Sequence, residues 1–205
     1  MFFQIGLVPT LLLIPAVIVA TVLHELAHGA VARSFGDPTA QNAGRLTLNP
    51  LPHIDPIGAL MLLFLGFGWA KPVPVDPRYF KHPYRDMILV ALAGPLTNGI
   101  LAFVIAFLTV VVALRFPGAP TALLQALQDG VVINVSLGLF NLIPIPPLDG
   151  AHFITGLYPT AYRFLVRFGG IALLVLVLTG VVGRVIGPLV LGISNGFIGA
   201  AQAVL

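Results

Sequence analysis

Long apolar runs separated by short polar breaks dominate the chain. Runs near residues 5–23, 87–114, 131–148, 164–182 and 185–205 approach the ~20 residues that a membrane-spanning helix requires. A first span is expected over about 6–33, stopping at "SFGDP", where Gly36 and Pro38 end a helix. A second is expected over about 84–114 and a third over about 122–142, breaking in "NLIPIPPLDG". Two closely spaced segments, about 161–182 and 184–205, follow as a C-terminal helical pair. Between the first two spans the pattern changes. Residues 38–49, "PTAQNAGRLTLN", are the most polar stretch, and the alternation in "GRLTLN" predicts a short strand or hairpin. The next stretch, "PLPHIDPIGALMLLFLGFGWAKPVPVDP", has an apolar middle too short to cross comfortably, with Pro or Gly at both ends. It reads as a re-entrant or interfacial segment. The fold class expected is therefore an all-α polytopic membrane protein. It has about five transmembrane helices, with a short β-hairpin/re-entrant segment between the first and second.

Composition sharpens this picture. Of the 205 residues 58% are hydrophobic and 8% charged, against roughly 25% charged in soluble domains. The N-terminal run lacks the basic residues of a signal peptide and continues into polar, ionisable positions, so it is expected to be retained as a span. Cysteine is absent, which excludes disulfides and thiolate chemistry. A formal charge of +3, thinly spread, offers no nucleic-acid surface. The ten basic residues serve better as topology signals. With the 34–85 loop in the cytoplasm, only Arg115 and Arg184 fall outside, so the positive-inside rule puts the N-terminus outside. No repeat or appended soluble domain is visible. The whole of 1–205 is expected to form one membrane-embedded domain, with a core over about 15–160.

Candidate chemistry lies at the end of the first span, in "TVLHELAHGA". Ionisable side chains inside an apolar segment are costly and call for a reason. His24 and His28 are four residues apart, which on a helix places both imidazoles on one face. That spacing suits two ligands of a tetrahedral zinc, with Glu25 able to reach a metal-bound water as general base. A buried polar cluster bonding helices together is the competing account, but it does not require this spacing.

A catalytic zinc usually has three protein ligands and one open position. Glu25 is the only Glu in the chain, so the third ligand must be Asp, His or something weaker. Asp37, Asp55, Asp76 and Asp86 lie in the polar loop, and Asp129 precedes the third span. Asp149 differs, because it follows a long apolar run at a Pro-rich break. Irregular backbone near membrane depth is tolerated only where protein or a water-filled cavity surrounds it. An ordinary helix-ending Asp-Gly turn explains the same residues, and His152 and His53 compete as ligands.

"HELAH" together with "FNLIPIPPLDG" resembles the site-2 protease family of intramembrane zinc metalloproteases. "GRLTLNPLPHIDPIG", "GWAKPVPV" and "AGPLTN" match further, in the expected order, over roughly residues 15–160. The pattern is closest to a minimal branch without PDZ or CBS domain. The resemblance implies one Zn2+ held by His24, His28 and Asp149, with Glu25 as base. It also suggests that Asn98 holds the substrate backbone or the oxyanion, although an Asn bonding a neighbouring helix accounts for that residue equally well. Asn141 and His53 are candidates of the same kind. The function implied is an intramembrane endopeptidase, located in the cell membrane, that cuts transmembrane segments of other proteins near the cytoplasmic side. Its partners are then a transmembrane protein substrate and membrane lipid, and homo-oligomer formation is left open. The rival is a non-enzymatic membrane protein with a structural or transport zinc site. A transporter would carry ionisable groups along several spans, whereas here they cluster at one depth.

Overall fold

The structure, a computed structural model, describes residues 7–65, 68–155 and 159–205. Its helices are α1 (Leu7–Ser34), α2 (Thr39–Asn42), α3 (Pro56–Leu65), α4 (Pro83–Arg115), α5 (Thr121–Asn141), α6 (His152–Thr155), α7 (Pro159–Leu178) and α8 (Val181–Val204). These bounds follow the apolar runs closely, because every backbone N–H and C=O in lipid must be bonded within its own helix. Proline interrupts α1, α4 and α8 at Pro15, Pro95 and Pro188 without ending them.

Among the described residues, four helices are long and apolar enough to cross a membrane: Leu13–Ser34, Pro83–Arg115, Thr121–Asn141 and Val181–Val204. In α7 the apolar stretch among the described residues is Phe164–Leu178. The multi-pass, all-helical class stands, with four such helices where about five were expected.

The expected hairpin does not form. Among the described residues the only β pairing is a single antiparallel bridge, Ile54 with Ala70. Side chains take the bonds that a ladder would have made. Thr47 Oγ1 accepts from the Asn49 amide at 3.1 Å, and Asn49 Oδ1 accepts from the Leu51 amide at 3.1 Å. Such local side-chain bonds compete with regular pairing. Residue 44 also departs from strand geometry, being a glycine with φ +65°. Beyond it, α3 is too short to span, and an extended segment over 71–76 leads back toward α1.

The helices pack around α4, which touches α1, α5 and α8. Where α4 meets α5 and α8, Ala102 and Ala106 lie against Val131, Val135 and Val190, all buried. Small residues let backbones approach closely where lipid gives no hydrophobic drive for helix association. At the other end Ala32, Phe80 and Val90 form a second buried cluster, in which the rings of Phe35 and Phe80 meet edge to face at 6.1 Å. This cluster fixes the loop end of α1 against the start of α4.

Candidate metal centre and active site

His24 and His28 project from successive turns of α1 toward α4, and both are buried. Their partners define which ring nitrogen is free. His24 Nδ1 donates to Asn98 Oδ1 at 2.6 Å, and His28 Nδ1 donates to the carbonyl of Val90 at 2.7 Å. With both Nδ1 atoms protonated, the Nε2 lone pairs face each other at 3.1 Å. Asp149 completes a triangle, its Oδ2 lying 3.1 Å from His24 Nε2 and 3.3 Å from His28 Nε2.

Three electron-rich atoms converging in a buried place repel one another unless a cation sits among them. A proton satisfies one of these contacts at a time, whereas a metal ion satisfies all three. Asp149 Oδ2 is buried and makes no hydrogen bond. Zinc bonds of ~2.0–2.1 Å in tetrahedral array separate neighbouring donors by about 3.3 Å, close to the spacing seen. The donor set and its spacing fit zinc, and His24, His28 and Asp149 are the one such cluster among the described residues.

Gly94 supplies the space. A Cβ built there would overlap His28 Nε2 and lie 2.6 Å from His24 Cε1. A second glycine, Gly150, lets the chain turn: a Cβ there would collide with the carbonyls of Leu142 and Ile143. The break "NLIPIPPLDG" can therefore fold back tightly enough after α5 to present Asp149 beside α1.

Glu25 is half-buried, one residue beyond His24. Its Oε2 accepts from the Val73 amide at 2.7 Å, so the extended 71–76 segment runs across the face of the site. Arg45 clamps that segment. It is buried, with Nη1 donating to the Pro72 carbonyl at 3.0 Å and Nη2 to the Lys71 carbonyl at 2.6 Å. His53 is spent in the same loop, its Nε2 donating to the Thr47 carbonyl at 3.0 Å and its Nδ1 lying 3.5 Å from Arg45 Nη2. Asp37, also buried, accepts from the Thr39 amide at 2.9 Å and the Asp76 amide at 2.7 Å, anchoring the far end of the segment to the turn between α1 and α2.

The structure thus brings His24, Glu25, His28, Asn98 and Asp149 together. It leaves His53 in the loop, and turns the Asn141 amide back onto the Leu137 carbonyl of its own helix at 3.0 Å. His152 stands outside the triangle of converging atoms, its ring centroid 6.5 Å from that of Tyr162. Burial pushes the His152 imidazole down, favouring its neutral form. Three neighbours of the site carry little signal of their own in the sequence. Val73 and Gly94 lie within the motifs "GWAKPVPV" and "AGPLTN". Asn134 is a lone amide in an apolar run, with no signal beyond its polarity.

A bundle of apolar helices enclosing a His–His–Asp cluster with an adjacent carboxylate defines a membrane-embedded metalloenzyme of the zinc-hydrolase class. Comparison with known proteins agrees. Residues 117–181 match the family model described as peptidase family M50. YwhC of Bacillus subtilis (strain 168), a protein named as a zinc metalloprotease, is 41% identical over 197 residues, covering 92% of this chain and 89% of its own. Rip2 of Mycolicibacterium smegmatis, with the same kind of name, is 30% identical over 183 residues, covering 85% of this chain and 69% of its own. MJ0611 of Methanocaldococcus jannaschii, again so named, is 34% identical over 136 residues, covering 63% of this chain and 61% of its own. No solved structure matches. The chain belongs to peptidase family M50, the site-2 protease family, and is a zinc metalloprotease.

Proposed function

We propose that this chain is an intramembrane endopeptidase that cleaves transmembrane segments of other membrane proteins near the cytoplasmic side, and that residues 1–205 act as one membrane-embedded unit. The observation carrying this reading is the Nε2–Nε2–Oδ2 triangle of His24, His28 and Asp149 with Glu25 beside it, within helices long enough to span. Bound zinc would polarise the scissile carbonyl and lower the pKa of a coordinated water toward ~7. His24, His28 and Asp149 are the residues to hold it, leaving one position for water or substrate. Glu25 is the general base. Because Oε2 is held by the Val73 amide, Oε1 remains to accept the proton of the attacking water and to return it to the departing amine. No covalent enzyme intermediate is needed.

The substrate reading follows from the surroundings. A membrane-buried site meets transmembrane helices and lipid before it meets soluble peptides, and a helix hides its peptide bonds until it unwinds locally. Lys71, Arg78, Lys81 and Arg85 all lie in or beside the 34–85 loop, which supports a cytoplasmic site and an external N-terminus.

The test is purified chain against a membrane-protein substrate found by comparing the membrane proteomes of cells carrying wild type and Glu25→Gln. The expected result is accumulation of uncut proteins in the variant, with a fall of ~10²–10⁴-fold in cleavage and zinc content unchanged. Substantial residual cleavage by purified Glu25→Gln would overturn the assignment of the base. Zinc transport by purified chain in liposomes, without proteolysis, would overturn the enzyme reading in favour of a transporter.

A further inference from the structure

Behind the site a line of amides runs from a candidate zinc ligand into the bundle. His24 Nδ1–H donates to Asn98 Oδ1 at 2.6 Å. The two protons of Asn98 Nδ2 go to the Ala20 carbonyl at 3.2 Å and to Asn134 Oδ1 at 3.0 Å. Asn134 Nδ2 in turn donates to the Gly130 carbonyl at 2.9 Å. Both Asn side chains are almost wholly shielded, Asn98 at 0% and Asn134 at 2% exposure.

The direction of every bond is determined. Turning the Asn98 amide over would set its oxygen against the Ala20 carbonyl and the Asn134 oxygen, acceptor against acceptor, in a place shielded from solvent. Asn134 is fixed in the same way by Gly130. The carbonyl at the head of the line can therefore accept only from His24, which compels the Nδ1–H tautomer and aims the Nε2 lone pair into the triangle.

We infer that Asn98 and Asn134 are positioning residues, an amide relay that sets the tautomer and aim of His24 and ties the helix carrying both imidazoles to the helix that leads to Asp149. With both its protons given away, Asn98 has no donor left for a substrate carbonyl, so its part in the reaction runs through His24. Supporting partners of metal-bound imidazoles typically change metal affinity by ~10–100-fold when removed. The inference rests on the proposed role of His24 as a zinc ligand.

Zinc affinity of the purified full chain in detergent, measured by competition with a chromophoric chelator, tests the relay without any proteolysis assay. Asn98→Leu should weaken zinc by ~10–100-fold, and Asn134→Leu by less. The double variant should be no worse than Asn98→Leu alone, because Asn134 acts only through Asn98. Asn98→Asp keeps an acceptor for His24 and, as the acid, one donor for Asn134 Oδ1, and should bind zinc at least ~10-fold more tightly than Asn98→Leu. Thr109→Val removes a different buried polar group of α4, a hydroxyl bonded to the Ile105 carbonyl of its own helix, and should leave zinc affinity unchanged. Wild-type affinity in Asn98→Leu, additive losses in the double variant, or an Asn98→Asp as weak as Asn98→Leu would each overturn the relay. An equal loss in Thr109→Val would do the same. If Asn98→Leu does not fold, Asn134→Leu decides the matter at unchanged helix content by circular dichroism: wild-type affinity there overturns the inference. A wild-type chain that shows the relay in these measurements yet cuts nothing would sink the protease reading alone.

Discussion

Asp149 is the residue on which the site closes, since it alone of the three converging donors comes from outside α1. Asp149→Ala should lose more zinc affinity than the ~10–100-fold that removing a supporting group costs, together with activity. His152→Ala should bind zinc as wild type does. Metal analysis of the purified variants checks both, and full occupancy in Asp149→Ala would refute the ligand set. Gly94 is a prediction of a different kind, because its contribution is the absence of a side chain. Gly94→Ala places a methyl carbon among the two imidazoles, so zinc should be lost while the helices persist. Because ligand atoms must be free of protons, zinc affinity should fall steadily as pH is lowered. At this scale legibility depended on pattern. His24, Glu25 and His28 share one helix, and their spacing alone brings them to one place. Asp149 was readable as an oddity, a carboxylate after a Pro-rich break, but spacing could not choose between it and two histidines. His53 has the same composition-level signature as a ligand, and only the Thr47 carbonyl and Arg45 show where its nitrogens are spent.

The elements divide into those set by hydropathy and those set by side-chain bonds. Apolar runs fixed α4 and α5 to within a residue or two of the expected spans, since the bilayer allows the backbone few alternatives. The polar loop obeyed no such rule. Alternation in "GRLTLN" suggested a strand, yet Arg45 turns inward to grip the Lys71 and Pro72 carbonyls, and Leu48 faces outward. That grip has a measurable counterpart. Arg45→Met removes both clamping bonds, each worth ~1.5–3 kcal/mol when a charged donor is involved, and should loosen the segment whose Val73 amide holds Glu25. Cleavage should drop by ~10-fold or more, a part of the full general-base contribution, with zinc content preserved. Equal activity in Arg45→Met would show that the 71–76 segment is dispensable to the base.

The bundle as a whole makes predictions about placement. A reporter fused at Lys71 should read as cytoplasmic and one at Pro117 as external, and the reverse pattern would overturn the orientation drawn from the basic residues. The bundle also dictates when the chain can act. His24 and His28 leave the ribosome early, whereas Asp149 follows only after α4 and α5 have been made. Until then the imidazole pair on α1 has no carboxylate to meet and no α4 glycine to lie against. A nascent or prematurely terminated chain lacking the segment after α5 would carry the "HELAH" helix into the membrane without a complete site. With zinc held as proposed, the split of the donors between the first helix and a late turn leaves every unfinished copy without a complete site.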